Sequence, residues 1–118
     1  MGDGYSQTSN ADKLVNKRIL PAIVEQLECK PLLGKSQPVL QISWTQPWNV
    51  QYLQYSNIQY EVLLQDADLN TIQKWNLKTT VHQFMEGISA DEKYFVWVRT
   101  VVDGNMYGPY NIEVTCHT

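Results

Sequence analysis

The sequence predicts an all-β fold in which two antiparallel sheets pack face to face. Three observations support this fold class. Short runs of β-type residues follow one another from residue 21 onward, turn-forming residues separate them, and no strong helical periodicity lies between them. With 118 residues, of which 43% are hydrophobic, the chain suits one compact domain with a packed core.

Seven strands are expected, and each is bounded by residues that favour turns. The predicted strands cover residues 22–29, 39–45, 58–65, 71–76, 79–85, 94–101 and 110–116. The second strand alternates cleanly, with Leu40, Ile42 and Trp44 on one face and polar residues on the other. Seven short strands at such spacing are typical of a β-sandwich.

The first 20 residues differ in character from the rest of the chain. They hold few apolar groups, and Pro21 ends any helix there because proline disfavours the α conformation in the residue before it. We therefore expect residues 1–20 to be a linker, the start of a segment cut from a longer chain, or a short accessory helix. The domain itself is expected to span residues 21–118.

The charge and hydropathy of the chain argue against two classes of partner. A formal net charge of −3 disfavours nucleic-acid binding, which needs a concentrated basic surface. The basic cluster of Lys13, Lys17 and Arg18 lies near the N-terminus, where a solvated helix face or a linker is the simpler interpretation. No apolar run approaches the roughly 18–20 residues that cross a bilayer. We expect no nucleic-acid partner and no membrane insertion by this segment.

The order and spacing of several short motifs resemble fibronectin type III domains. The run 40–44, which ends at Trp44 and is followed by Pro47, is similar to their second strand, whose Trp is the central core residue. The run 58–62 is similar to their third strand. Ile88 follows a glycine and precedes Tyr94, which resembles the turn that carries the tyrosine corner, where the Tyr hydroxyl bonds back to the backbone.

Two further motifs carry the resemblance to the end of the chain. The run 94–99 is similar to the sixth strand, and the run 107–110 to the following loop and the start of the seventh. The resemblance covers about residues 21–116 and implies a seven-stranded antiparallel immunoglobulin-like β-sandwich of fibronectin type III type. The core markers that it implies are Trp44, Tyr60, Ile88 and Tyr94.

A looser resemblance connects the chain to the membrane-proximal type III modules of cytokine receptors. It rests on the run 44–49 and on Lys74-Trp75. Those modules carry a Trp-Ser-any-Trp-Ser motif whose rings interleave with Arg from the sixth strand. Residues 106–110 stand in that place here, which leaves Arg99 and Trp97 as candidate members of a short cation–π stack.

The chain has two cysteines, Cys29 and Cys116. The resemblance implies that the first and last strands run side by side, which would bring their Cα atoms within the roughly 4.4–6.8 Å that a disulfide requires. We expect a bridge, which implies an oxidising compartment. The alternative is two separate thiols, one of them buried.

No combination of residues predicts catalysis, a cofactor or a metal. His82 and His117 are the only histidines, and with two cysteines they lack any recognised zinc spacing. Asp66 and Asp68 resemble the start of a calcium loop, but the Gly and the later Glu of that pattern are missing. We expect no catalytic residue, no cofactor, no metal site and no enzymatic activity.

Aromatic and basic side chains on two predicted strands form a candidate partner face. Such residues are enriched at interface hot spots, and the members of this face are Trp75, Phe95, Trp97 and Arg99. The alternative is that they simply cover the sheet, with basic stems laid across the rings. The loop 48–55, rich in Tyr and apolar residues, is a second candidate that competes with packing over the end of the sandwich.

These observations predict a protein-interaction module from the extracellular or cell-surface part of a larger receptor, adhesion or matrix protein. Its partners would be another protein, of unknown identity, and the neighbouring domains of the larger chain. One alternative is a structural spacer in a filament, a receptor stalk or a multidomain enzyme. Another is an intracellular scaffold module in which both cysteines are reduced.

Overall fold

The computed structural model describes residues 19–32, 36–52 and 55–118, and these form two antiparallel sheets packed as a sandwich. The all-β prediction is therefore confirmed. The strands are β1 (Glu25–Leu32), β2 (Val39–Thr45), β3 (Ile58–Asp66), β4 (Thr71–Leu77), β5 (Val81–Phe84), β6 (Lys93–Val102), β7 (Met106–Tyr107) and β8 (Val114–His117), with a 3-10 turn at Val50–Tyr52. The predicted accessory helix or linker and the basic cluster at residues 13–18 lie outside the described residues.

The two sheets differ in size, and both have free edges. One sheet has three strands in the order β1-β2-β5. The other has five, in the order β4-β3-β6, with β7 and β8 both pairing with the far side of β6. As a result β6 is flanked on both sides, whereas β4 and β5 each end a sheet with an edge that no other described strand pairs with.

The core forms where the alternating apolar rows of the two sheets meet. Trp44 of β2 is only 5% exposed, and its ring centroid lies 5.4 Å from that of Tyr60 on β3. The hydroxyl of Tyr94 accepts a hydrogen bond from the backbone N–H of Ser89 at 2.7 Å, the geometry of a tyrosine corner. The four sequence-derived core markers all lie in the buried cluster, at positions Trp44, Tyr60, Ile88 and Tyr94.

A disulfide joins the two sheets. Cys29 of β1 and Cys116 of β8 are bonded, with their Cα atoms 5.7 Å apart, as predicted. The bridge closes a loop with a sequence separation of 87 residues. On the chain-entropy model, closing a loop of that size stabilises the fold by about 4–5 kcal/mol.

The first strand lies further along the chain than residues 22–29. It runs from Glu25 to Leu32 and contains a bulge, with Gln26 at a φ of 54°. The segment before it is held by Asn49 instead, whose side chain accepts from Ala22 N and donates to Leu20 O. The strand continues through Pro31 because β1 is an edge strand, where a missing N–H costs little.

The predicted final strand at residues 110–116 is also wrong in its extent, since β8 begins only at Val114 and the two-residue strand β7, at residues 106–107, lies before the predicted start. Pro109 has no N–H to give to a ladder. The side chain of Asn111 takes over the pairing with β6: its Oδ1 accepts from Val98 N at 2.5 Å, and its Nδ2 donates to Val96 O at 3.2 Å. A Cβ on Gly108 would lie 2.6 Å from the Pro21 carbonyl oxygen, so this crossing requires glycine.

Candidate functional site

The predicted partner face does not exist as one surface. In the register of β3 and β4, Trp75 lies opposite Val62, which is fully buried in the core, and Lys74 lies opposite Leu63. Directly paired residues project from the same side of a sheet. Trp75 therefore projects toward the three-stranded sheet, away from the face that carries Trp97 and Arg99. The sequence could not reveal this, because the register of β4 depends on a long-range pairing.

Phe95 is also unavailable as a contact residue. It lies on the outer row of β6 as predicted, yet it is only 8% exposed. The reason is that β6 is flanked by β3 and β8, where Gln65 and Thr115 are its cross-strand partners. The ammonium group of Lys93 also lies 5.1 Å from the centroid of its ring.

Trp97 is half-buried on the outer face of the five-stranded sheet. Its indole N–H donates a hydrogen bond of 2.8 Å to the side-chain oxygen of Gln65 on β3. This contact holds the indole against its own sheet, so Trp97 acts in part as cover for the strands below it.

Arg99 stacks between two tyrosines rather than with Trp97. Its guanidinium carbon lies 4.3 Å from the ring centroid of Tyr107 and 4.6 Å from that of Tyr110. The candidate cation–π stack therefore forms with different rings from those expected. Both tyrosines follow the turn after β6, with Tyr107 in β7 and Tyr110 in the segment between β7 and β8.

Glu61 is the acidic centre of this group and was not among the residues predicted from the sequence. Its side chain is 7% exposed, and Oε1 lies 2.8 Å from both Nε and Nη2 of Arg99. The hydroxyl of Tyr110 donates to the same oxygen, and Lys74 Nζ lies 3.6 Å from Oε2. We call these residues the Arg99 cluster: Glu61, Lys74, Arg99, Tyr107 and Tyr110.

The electrostatics of the Arg99 cluster are satisfied internally. Burial by itself raises the pKa of Glu61, but the Tyr110 hydrogen bond and the charges of Arg99 and Lys74 hold that pKa below its ordinary value. Burial and the Glu61 carboxylate raise the pKa of Tyr110 to about 12. At neutral pH the carboxylate is therefore ionised and paired, and the phenol keeps its proton. The cluster braces four strands of one sheet, namely β3, β4, β6 and β7.

A groove of about 600 Å³ lies between the free edges of the two sheets. We call it the edge groove. One wall is β4 and the other is β5 with the turn that follows it. The lining residues are Ile72, Gln73, Lys74, Trp75, His82, Gln83, Met85, Glu86 and Gly87.

Trp75 is the central side chain of the edge groove. It is 45% exposed, yet two contacts fix its position. Its ring centroid lies 4.8 Å from that of His82, and its indole N–H donates to Gln73 Oε1 at 2.9 Å. The amide of Gln73 donates in turn to the carbonyl of Glu86, which connects the two sheets across the groove.

His82 lies at the base of the edge groove, in contact with Phe84 of the core as well as with Trp75. Burial lowers its pKa, so the imidazole is neutral at pH 7. Its Nε2 atom is buried and has no hydrogen-bond partner among the described residues. His117 stands on β8 of the other sheet, so the two histidines do not form one site.

Asp66 serves the turn between β3 and β4. Its Oδ1 accepts from the backbone N–H groups of Asp68 and Asn70, both at 2.9 Å. The backbone hydrogen bond from Asn70 is the main cause that lowers the pKa of Asp66. Within residues 19–32, 36–52 and 55–118, no three His, Cys, Asp or Glu side chains are grouped so that they could hold a metal ion.

The second candidate, the loop 48–55, contributes to an exposed apolar surface at one end of the sandwich. Trp48 is 62% exposed and Tyr52 is 72% exposed, with ring centroids 6.4 Å apart. Ile19 and Leu20, both about half exposed, are tied to this loop through the Tyr55 hydroxyl and the Asn49 amide. We call Ile19, Leu20, Trp48 and Tyr52 the Trp48 patch. Residues 53 and 54 of the loop lie outside the described residues.

No protein-family model matches the chain. Curated relatives do match it, and they carry the name protein O-linked-mannose β-1,4-N-acetylglucosaminyltransferase 2. The Gallus gallus protein is 33% identical over 85% of this chain, and the Homo sapiens protein is 34% identical over 85%. The Danio rerio protein is 29% identical over 98%. The chain spans 18%, 17% and 20% of these three relatives, respectively.

Solved structures resemble the fold. Domains d3–d4 of the rat CD45 extracellular region superpose with a TM-score of 0.67 at 11% identity, covering 85% of this chain and 51% of that one. A structure titled as a myokine gives a TM-score of 0.63 at 15% identity, covering 83% and 97%. At such low identity these similarities show the fold alone, a fibronectin-like β-sandwich.

The prediction that the protein is not an enzyme is contradicted by the curated relatives, which are named as a glycosyltransferase. The signal that overturns the prediction is similarity to a part of much longer proteins, which no residue pattern within the chain displays. Within the described residues, no helix of the length and hydropathy of a membrane span is present.

Proposed function

We propose that this chain is an interaction module of a larger glycosyltransferase, one that transfers N-acetylglucosamine to O-linked mannose. One observation carries the proposal: 33–34% identity over 85% of the chain to relatives with that name. In this proposal residues 21–118 form the module and residues 1–20 link it to another part of the enzyme. The earlier hypothesis of a receptor, adhesion or matrix protein has no comparable support.

The Trp48 patch supports an interaction role within the larger protein. Large aromatic side chains that are 62% and 72% exposed are unfavourable in water unless a partner covers them. They lie beside Ile19 and Leu20, where the chain reaches the sandwich from its N-terminal side. Trp and Tyr are also the residues that contribute most at protein interfaces. We assign this patch to contact with a neighbouring part of the enzyme.

The disulfide supports a secretory-pathway location for the module. A bond between Cys29 and Cys116 persists in an oxidising compartment and is rare in the cytosol. The extracellular origin of the rat CD45 domains is consistent with this location. An intracellular scaffold module with reduced cysteines accordingly fits less well.

A passive spacer is the second candidate function. The Arg99 cluster and the disulfide favour it, because both stiffen the sandwich while leaving few unsatisfied polar groups for a partner. A spacer needs no specific contact at the Trp48 patch. The two functions therefore differ in what happens when that patch is removed.

The test uses the full-length protein that carries this chain, with Trp48→Ala and Tyr52→Ala combined. Transfer of N-acetylglucosamine to an O-mannosyl peptide is expected to fall at least about tenfold, since each interface aromatic contributes on the order of 1–2 kcal/mol. The melting temperature of the 118-residue chain is expected to stay nearly unchanged, because both side chains are exposed. The matched control is Ile112→Ala, which removes an apolar side chain that is 81% exposed at another place. Full activity in the double variant would favour the spacer function.

A further inference from the structure

Trp75 is an exposed aromatic ring that is held in one position. It lies at the edge of a sheet, where a side chain that only covers the core could rotate freely. Instead its indole N–H is bonded to Gln73, its ring contacts His82, and Gln73 is itself anchored on the Glu86 carbonyl. A fixed aromatic surface in a groove provides a ready platform for a ligand, because the ordering cost is already met in the free protein.

The polar groups around Trp75 suit the hydroxyl groups of a neutral ligand. The ammonium group of Lys74 is paired with Glu61 on the opposite face of the sheet, and the Gln83 amide is bonded to Gln41 on the outer face of the three-stranded sheet. The polar side chains left to the edge groove are those of Gln73, Glu86 and His82. His82 is neutral at pH 7 because burial lowers its pKa. The oxygens of Gln73 and Glu86 are therefore available as acceptors, and no lining ammonium group selects an anion.

A hexose has the matching chemistry. A pyranose ring presents one apolar face of C–H groups, which packs on an aromatic ring, and a rim of hydroxyls that both donate and accept hydrogen bonds. The groove volume of about 600 Å³ lies within the roughly 300–1,000 Å³ typical of small-molecule sites. We infer that the edge groove binds a hexose unit of a neutral glycan, stacked on Trp75, with its hydroxyl groups bonded to Gln73 and Glu86.

A peptide strand added to a sheet edge is the competing occupant, and the geometry disfavours it. Strand addition needs a continuous row of free backbone groups. β5 offers only four residues, and the pairing of β4 is interrupted by a register shift next to Leu64. The Gln73 amide also crosses between the two edges, where an added strand would have to pass.

The inference rests on the proposed function only for the choice of sugars to test. The probes are methyl α-D-mannopyranoside and methyl N-acetyl-β-D-glucosaminide, titrated into the ¹⁵N-labelled 118-residue chain. A single hexose on an open groove is expected to bind with a Kd on the order of millimolar. The indole N–H signal of Trp75 and the amides of residues 82–87 should shift and saturate together with one of the two sugars.

Two substitutions sharpen the test. Trp75→Ala should weaken binding at least tenfold, whereas Trp48→Ala, which removes the other strongly exposed Trp, should leave it unchanged. Trp75→Phe keeps an aromatic face and should retain most of the binding. The chemical-shift map of the parent chain decides the question even if Trp75→Ala folds poorly.

Three outcomes would overturn the inference. They are no saturable shift at Trp75 with either sugar, an equal loss of binding in Trp48→Ala, or shifts along β5 with an unglycosylated peptide in place of the sugars. None of these bears on the glycosyltransferase proposal, which is tested through the Trp48 patch and the activity of the full-length protein. Failure of the hexose inference can therefore be distinguished from failure of the glycosyltransferase proposal.

Discussion

At the scale of single residues, Glu61 shows how a buried charge is tolerated on a sheet surface. An isolated carboxylate with only 7% of its side chain exposed would be expected to bind a proton instead. Arg99 prevents this by approaching Oε1 with two nitrogens, while Tyr107 and Tyr110 cover the guanidinium. The planar guanidinium performs both tasks at once, which an ammonium group cannot do.

Removal of Arg99 is therefore expected to destabilise the fold. Arg99→Ala leaves Glu61 buried with only the Tyr110 hydroxyl and the Lys74 ammonium group, which lies 3.6 Å from Oε2. The free energy of unfolding at pH 7, measured by chemical denaturation, should fall by about 2–4 kcal/mol. The matched variant Arg99→Lys keeps the positive charge but loses the two-nitrogen contact with Glu61 and the stacking on the tyrosines. It should therefore lose less stability than Arg99→Ala.

The same substitution predicts a pH dependence. Because the pKa of Glu61 is lowered in the folded state, its contribution is present above its ordinary pKa of 4.5 and disappears as the pH falls through the folded value. The stability difference between the parent and Arg99→Ala should therefore narrow below pH 4.5. A difference that stays constant down to pH 2 would show that Arg99 acts through packing alone.

At the scale of elements, the shortened last strand shows where the sequence was informative and where it was not. Alternation along β2 and β6 predicted both strands and the burial of Trp44, because a period of two is a local property. The late start of β8 was not predictable, because it depends on the side chain of Asn111 meeting Val96 and Val98 on another strand. The side of the sheet from which Trp75 projects could not be predicted for the same reason, since the register of a strand is set by a partner that is distant in the sequence.

Asn111 is expected to be essential for holding the segment before β8 against β6. Asn111→Ala leaves the Val98 N–H and the Val96 carbonyl without their side-chain partners and should cost about 1–3 kcal/mol of stability. Asn111→Asp keeps the acceptor for Val98 N but has no donor for Val96 O. Its stability is therefore also expected to fall, by at least part of the loss expected for Asn111→Ala. Hydrogen exchange at Val98 should accelerate in Asn111→Ala, and unchanged exchange there would contradict the assigned pairing.

At the scale of the whole molecule, a fibronectin-like sandwich closed by one disulfide carries two unlike surfaces. The Trp48 patch is apolar and suits a protein neighbour, whereas the edge groove is mixed and suits a small neutral ligand. Curated relatives that are named as a glycosyltransferase are about five times as long as this chain, since the aligned residues make up 17–20% of them. A module that docks on the enzyme through one surface and holds a glycan at the other would unite these observations.

The activity of the full-length protein that carries this chain tests the central claim most directly. That protein is incubated with UDP-N-acetylglucosamine and a peptide bearing a single O-linked mannose, and the peptide mass is measured. The account predicts a mass increase of one N-acetylhexosamine on the mannosylated peptide and none on the same peptide without mannose. A protein that is folded and disulfide-bonded, yet leaves the mannosylated peptide unchanged, would contradict it.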